Sequence, residues 1–194
     1  MAELANDLGS PFCPKCGGRT IRKVVGGRER DTCPDCGYTQ YTVATIGIGA
    51  LVFRGDSVLL VERGIPPVGI WTVPSGFLEQ DDDITSALVR EVKEETALDV
   101  TNVQGIVIVR NTVRTDKNDL YVVMLCDVDE HQQPEPDGRE STQARFVPTS
   151  ELDTVGISEF SRWIVTHYLH HKPTPMKMIT IPGYRADAKV FGNF

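Results

Sequence analysis

The sequence predicts an α/β sandwich preceded by a small metal-stapled ribbon. Three observations carry this. Runs of β-branched and apolar residues lie on both sides of one amphipathic helix near the middle of the chain. A second helical pattern follows the last of those runs. Four of the five cysteines fall before residue 40, in two matched pairs. At 194 residues the chain can hold one ordinary domain and a small accessory one. The expected division is a ribbon with a short lead over residues 1–40, a main domain over 41–172 and a tail over 173–194.

Composition excludes several classes. With 40% hydrophobic and 24% charged residues, the chain is rich enough in apolar side chains to build a core, which argues against disorder. A net charge of −7 argues against broad nucleic-acid or anionic-membrane binding. A membrane helix needs roughly 18 apolar residues; the longest candidate, Ile46 to Phe53, is far shorter and holds two glycines. The opening MAELANDLGS carries two acids, no basic cluster and no long apolar stretch, so no signal peptide is expected and the cytoplasm is the expected setting. Nothing in the sequence fixes the oligomeric state, and a homodimer is compatible with it.

Residues 1–11 read as a mobile polar lead. Cys13-Pro-Lys-Cys16 and Cys33-Pro-Asp-Cys36 follow, separated by sixteen residues, and each pair is succeeded by glycine. This spacing is that of a zinc ribbon. About thirty residues cannot bury enough apolar surface to fold alone, so a Zn²⁺ held by Cys13, Cys16, Cys33 and Cys36 would supply the missing stability. Four thiolates close a tetrahedral shell, which marks a structural site. Two disulfides or a redox pair are the alternatives; a cytoplasmic setting disfavours the first and the doubled knuckle the second. The arginines and lysine between the knuckles either steer an anionic substrate or merely solvate a hairpin.

Thr42 to Phe53 reads as a strand, Gly55-Asp56 as a turn and Ser57 to Val61 as the returning strand. Pro66 to Gly69 is a loop, Ile70 to Val73 a short strand bearing Trp71, which is either a core anchor, the favoured reading, or a substrate contact, and Pro74-Ser75-Gly76 a turn. A helix is expected from an N-cap at Asp83 to Thr96. Gln104 to Val109 and Leu120 to Val128 read as strands joined by a polar loop. Cys126, in the apolar run YVVMLCDV, is expected to be buried. Glu130 to Glu140 reads as a mobile acidic loop, Ala144 to Val147 as a last strand and Ile157 to Leu169 as a helix facing the core with Phe160, Ile164, His167 and Tyr168. His170 and His171 read as its solvated end. The tail either adds a strand to a neighbour or stays disordered.

The central helix carries Arg90, Glu91, Glu94 and Glu95. At about 100° per residue, the three glutamates share an arc with Ile84, Ala87 and Leu88. They continue the buried stripe, whereas a solvated charged face would lie opposite. Carboxylates turned inward are costly unless a cation neutralises them. Clustered carboxylate oxygens suit a hard divalent ion, Mg²⁺ or Mn²⁺.

Gly76 to Leu98 resembles the Nudix box, G-x5-E-x7-R-E-U-x-E-E-x-G-U with U apolar. Gly76, Arg90, Glu91, Val92, Glu94, Glu95 and Leu98 fall in register. Asp82 replaces the first Glu and Ala97 the last Gly. The resemblance implies an α/β/α sandwich with a mixed sheet over about residues 41–170. It implies that Glu91, Glu94 and Glu95 bind the catalytic metal with help from a backbone carbonyl around Ser75 or Gly76. It implies that Arg90 ties the helix to Asp82 as structural support. Similar ribbons precede the Nudix domain in NADH pyrophosphatases. The S-Q-P-W-P-F-P motif of those enzymes is absent from residues 101–118. The reaction implied is hydrolysis of the pyrophosphate in ADP-ribose, NADH or a related dinucleotide. A further acid before the last strand, matched here by Glu140, would act as base or ligand, or is an ordinary loop acid. Arg110 and Arg114 either grip phosphate or solvate a loop. A ligand sensor without turnover, suggested by Asp82 and Ala97, and a nucleic-acid-binding ribbon are the other readings.

Overall fold

A computed structural model of the chain describes residues 11–41, 44–113, 118–180 and 190–193. The lead, Arg114 and most of the tail beyond residue 180 lie outside the described residues. Two compact units are present, one of Met1–Ala44 with Thr112–Asn118 and one of Thr45–Asn111 with Asp119–Phe194.

In the first unit, β1 (Ile21–Val25) and β2 (Arg28–Thr32) form an antiparallel hairpin. Each cysteine pair closes the same kind of turn. Gly17 donates its N–H to the Cys13 carbonyl at 2.8 Å, and Gly37 donates to the Cys33 carbonyl at 2.9 Å. Both glycines sit in the left-handed region, at φ +75° and +73°, where a side chain would be strained. The hairpin's strands are mostly exposed, so little apolar burial holds this unit together.

The second unit is built on a four-stranded sheet in the order β7-β3-β9-β8, where β3 is Thr45–Leu51, β7 Ser75–Phe77, β8 Val100–Val113 and β9 Asn118–Val128. The sheet is mixed: β3 runs parallel to β9 and antiparallel to β7. A second sheet joins β4 (Phe53–Arg54), β5 (Ser57–Arg63), β6 (Trp71–Thr72) and β10 (Ser141–Pro148). Side chains alternate across each strand. Ile48, Ala50, Val122, Met124 and Cys126 therefore pack with Ala87, Leu88 and Val92 of α1 (Ile84–Thr96). Leu51, Val123 and Leu125 pack with Ile164 and Val165 of α2 (Glu159–His171). The result is the expected three-layer α/β/α sandwich. Among the described residues, no helix is long and apolar enough to cross a membrane.

Several expected elements are corrected. Ser75–Phe77 is a strand paired with β3, not a turn, because Gly49, Ile48 and Gly47 offer it a free edge. The strand expected over Gln104 to Val109 runs from Val100 to Val113 and takes in the start of the expected polar loop. The closing helix is shifted two residues, capped by Ser158, whose hydroxyl accepts the Ser161 N–H at 3.2 Å. It buries Val165 rather than His167, whose ring stacks on Trp163. The end of the acidic loop is fixed by hydrogen bonds. In the tail, β11 (Lys177–Ile179) pairs antiparallel with β12 (Val190–Gly192), and Met176 just before it exchanges backbone hydrogen bonds with Ile106 of β8 at 2.8 and 3.0 Å.

Candidate active site

Helix α1 starts where Asp83 accepts the N–H groups of Thr85 and Ser86 at 2.9 and 3.1 Å. Burial raises the Asp83 carboxyl, but the hydrogen bonds from Thr85 and Ser86 outweigh it and hold the group down to about 2. The helix ends on Ala97, in the left-handed region at φ 58°, with its N–H bonded to the Lys93 carbonyl at 2.9 Å. The alanine thus adopts the conformation that glycine would take in the box.

Between these caps the inward face delivers Glu91 and Glu95 into the protein, each with only 8% of its surface exposed. Glu95 accepts the Ser75 N–H at 2.8 Å. Gly76 packs so tightly on Glu91 that a Cβ there would lie 2.0–2.1 Å from its carboxylate atoms. Strand β7 therefore supplies backbone, without side-chain bulk, along this part of the carboxylate wall. Glu94 is a correction: its side chain is 58% exposed and turns toward Arg90, so two glutamates, not three, continue the buried stripe. It sits at the edge of the arc, and a cationic neighbour one turn earlier draws it outward.

Arg90 organises this edge. Its Nε and Nη2 donate to Asp82 Oδ2 at 3.1 and 2.9 Å, and Nη2 also donates to the Phe77 carbonyl at 3.1 Å. Nη1 reaches Glu91 at 2.6 Å and Glu94 at 3.1 Å. The shorter stem of Asp82 still makes the contact expected of it. Even so, Arg90 leaves the inner carboxylates under-compensated. Burial pushes the Glu91 carboxyl up, against Arg90, and the charges of Glu94 and Glu140 add to it. Burial pushes Glu95 up to about 8 despite the Ser75 N–H, with Glu91 and Glu140 adding and Arg63 opposing. The residue after Glu140 ties it to α1: the Ser141 hydroxyl donates to the Glu95 carbonyl at 2.8 Å.

Sequence reasoning missed two neighbours. Tyr121 lies across β3, where a Cβ on Gly47 or Gly49 would meet its ring or hydroxyl at 2.7 and 2.3 Å. The alternating glycines of that strand were the available signal. Burial raises the Tyr121 phenol to about 12, against a hydrogen bond shared with the Ser75 side chain. Arg63, at the end of β5, donates to the Pro66 carbonyl at 2.9 Å. Arg110 pairs with Asp119 at 3.2 Å and lies over the rings of Tyr121 and Phe160. The buried Nε atoms of Arg63 and Arg110 have no hydrogen-bond partner among the described residues. Arg114 lies outside the described residues.

The cysteines form a separate centre. All four Sγ atoms lie within 4.8 Å of one another, with Cys13 to Cys36 at 3.7 Å and Cys16 to Cys33 at 3.5 Å. Zn–S bonds of about 2.3 Å in a tetrahedron place sulfurs about 3.8 Å apart, so the cluster fits structural zinc. Among the described residues this is the one group of three or more potential ligands gathered so tightly.

The model of the NUDIX domain matches residues 43–166, and that of the Nudix N-terminal zinc ribbon matches residues 11–42. The NAD-capped RNA hydrolase NudC of Pseudomonas aeruginosa is 37% identical over 98 residues, 49% of this chain. The chain covers only 34% of that relative's length. A NUDIX hydrolase from Nitrosomonas europaea superposes with a TM-score of 0.72 at 24% identity, covering 84% of this chain and 94% of that one. The NUDIX domain of Shewanella oneidensis NrtR, solved with ADP ribose, has a TM-score of 0.58 at 15% identity, over 69% and 91% of the two chains. With its own domain model spanning most of its length, the chain belongs to the Nudix hydrolase family.

Proposed function

We propose that the chain hydrolyses the pyrophosphate bond of a nucleoside diphosphate linked to another moiety, such as ADP-ribose, NADH or a related dinucleotide, with Mg²⁺ or Mn²⁺. The observation that carries this is the pair of buried carboxylates, Glu91 and Glu95, with a third acid, Glu140, in the turn that Ser141 bonds to the Glu95 carbonyl at 2.8 Å. Buried, mutually repelling carboxylates are held at a cost that a divalent cation removes. In this reading Glu91, Glu94 and Glu95, with the backbone at Gly76, hold the ion. When bound, the ion neutralises phosphate oxygens and lowers the pKa of a water. Arg90 keeps Glu91 and Glu94 oriented and ties them to Asp82. Glu140 accepts the proton of the attacking water as its oxygen bonds to phosphorus and the bridging P–O bond breaks. Arg63 and Arg110, through the Nη groups not engaged by the Pro66 carbonyl and Asp119, take non-bridging phosphate oxygens.

The same reading divides the chain into a zinc ribbon over 1–40, a catalytic domain over 41–172 and a tail over 173–194. It takes the cytoplasm as the setting, where reducing conditions keep the ribbon thiols available to zinc. Incubation with ADP-ribose, NADH, NAD⁺, FAD, diadenosine polyphosphates and dNTPs, with products identified by mass spectrometry, tests the activity. Cleavage of one dinucleotide in the presence of Mg²⁺, lost about a hundredfold or more in Glu95→Gln, is expected. Tight binding of ADP-ribose with no product would instead identify a sensor.

A further inference from the structure

We propose that Asp137 and Ser141 act as positioning residues, a clasp that sets Glu140 over the buried carboxylate pair. The inference rests on the reading of Glu140 as the base. The Asp137 carboxylate gathers three consecutive backbone donors. Its Oδ1 accepts the N–H groups of Arg139 at 3.0 Å, Glu140 at 3.0 Å and Ser141 at 2.8 Å, and Oδ2 lies 3.1 Å from the Glu140 nitrogen. From the other side, Gly64 donates its N–H to the Glu140 carbonyl at 2.8 Å. Both backbone groups of Glu140 are thereby fixed.

Ser141 couples this turn to helix α1. Its hydroxyl is buried, with 0% of the residue exposed. It lies 2.8 Å from the Glu95 carbonyl and 3.0 Å from Asp137 Oδ1, and it accepts the Asp137 N–H at 3.2 Å. The base and one of the two buried glutamates therefore share a hydrogen-bonded frame. The Glu140 residue is exposed, and among the described residues no hydrogen bond or ion pair engages its carboxylate. A backbone held at both ends with a free carboxylate is the arrangement a proton acceptor needs, since misplacement by about 1 Å can cost a hundredfold in rate.

The test is a mutant cycle on the full zinc-loaded chain with Mg²⁺ and whichever dinucleotide it cleaves fastest. Asp137→Ala and Ser141→Ala should each lower kcat about ten- to a hundredfold with KM within about twofold. Asp137→Asn, which keeps one acceptor oxygen, should fall between. In a Glu140→Gln background none of the three should cause further loss, because the group they position is already gone. A merely structural role would multiply the losses in both backgrounds. The clasp alone is overturned if Glu140→Gln costs more than tenfold while Asp137→Ala and Ser141→Ala keep kcat within twofold, or if the losses multiply. A Glu140→Gln enzyme with full turnover overturns the base assignment, and the clasp with it. If Asp137→Ala does not fold, the same comparison with Asp137→Asn decides.

Discussion

Glu95 makes a quantitative prediction about stability and pH. Its carboxyl is raised from 4.5 to about 8, chiefly by burial. Between those pH values the folded protein holds a proton that the unfolded chain has released. Stability is therefore greatest below the unfolded value, declines as pH rises, and levels off above about 8. At 1.36 kcal/mol per pH unit, the full loss is up to about 5 kcal/mol. Glu95→Gln removes the titration and keeps the shape. Urea unfolding of the wild type and this variant should be compared from pH 5 to 8.5 in magnesium-free buffer, with zinc retained. The difference between the two cancels the titrating groups remote from Glu95 and leaves Glu95 together with Glu91, whose charge it feels. Wild-type stability should fall relative to the variant as pH rises, and Mg²⁺ should abolish most of that fall by compensating the charge. Parallel profiles, within about 1 kcal/mol over this range, would mean that the ionised carboxylate is held without cost, and the reasoning from burial would fail.

Other outcomes follow from close contacts. Gly76→Ala puts a methyl where the Glu91 carboxylate now lies, so the Mg²⁺ concentration giving half-maximal activity should rise about tenfold or more, while thermal unfolding changes little. Ala97→Gly should stabilise the chain by about 0.5–1 kcal/mol in urea unfolding, since the left-handed conformation costs alanine more than glycine and glycine gives back part of that through chain entropy. Cys13→Ser opens the four-thiolate shell, and zinc bound per chain, read by a colorimetric chelator, should fall well below one.

What the sequence made legible was local chemistry. Asp83 as a cap, the two glycine-terminated knuckles and the buried phase of Glu91 and Glu95 all depend on residues within a turn or two of one another. What it concealed was set by distant partners. Ser75–Phe77 is a strand because β3 lies beside it, and three residues after a proline carry no periodicity of their own. Strand β8 runs on to Val113 through exposed, mixed residues that resemble a loop. Glu94 obeys the helical phase but lies at its edge, where Arg90 decides its direction. Arg63 approaches the site from another sheet, and Tyr121 fills space left by glycines more than seventy positions earlier. The Asp137 turn was invisible for the same reason, since its worth depends on the backbone of Glu95.

The most direct measurement is anomalous diffraction from crystals soaked in Mn²⁺. A manganese peak within about 2.0–2.6 Å of carboxylate oxygens from both Glu91 and Glu95 is expected. Ordered density for both side chains, with manganese bound only elsewhere or not at all, would contradict the assignment of this helix as the metal-binding wall of a hydrolase.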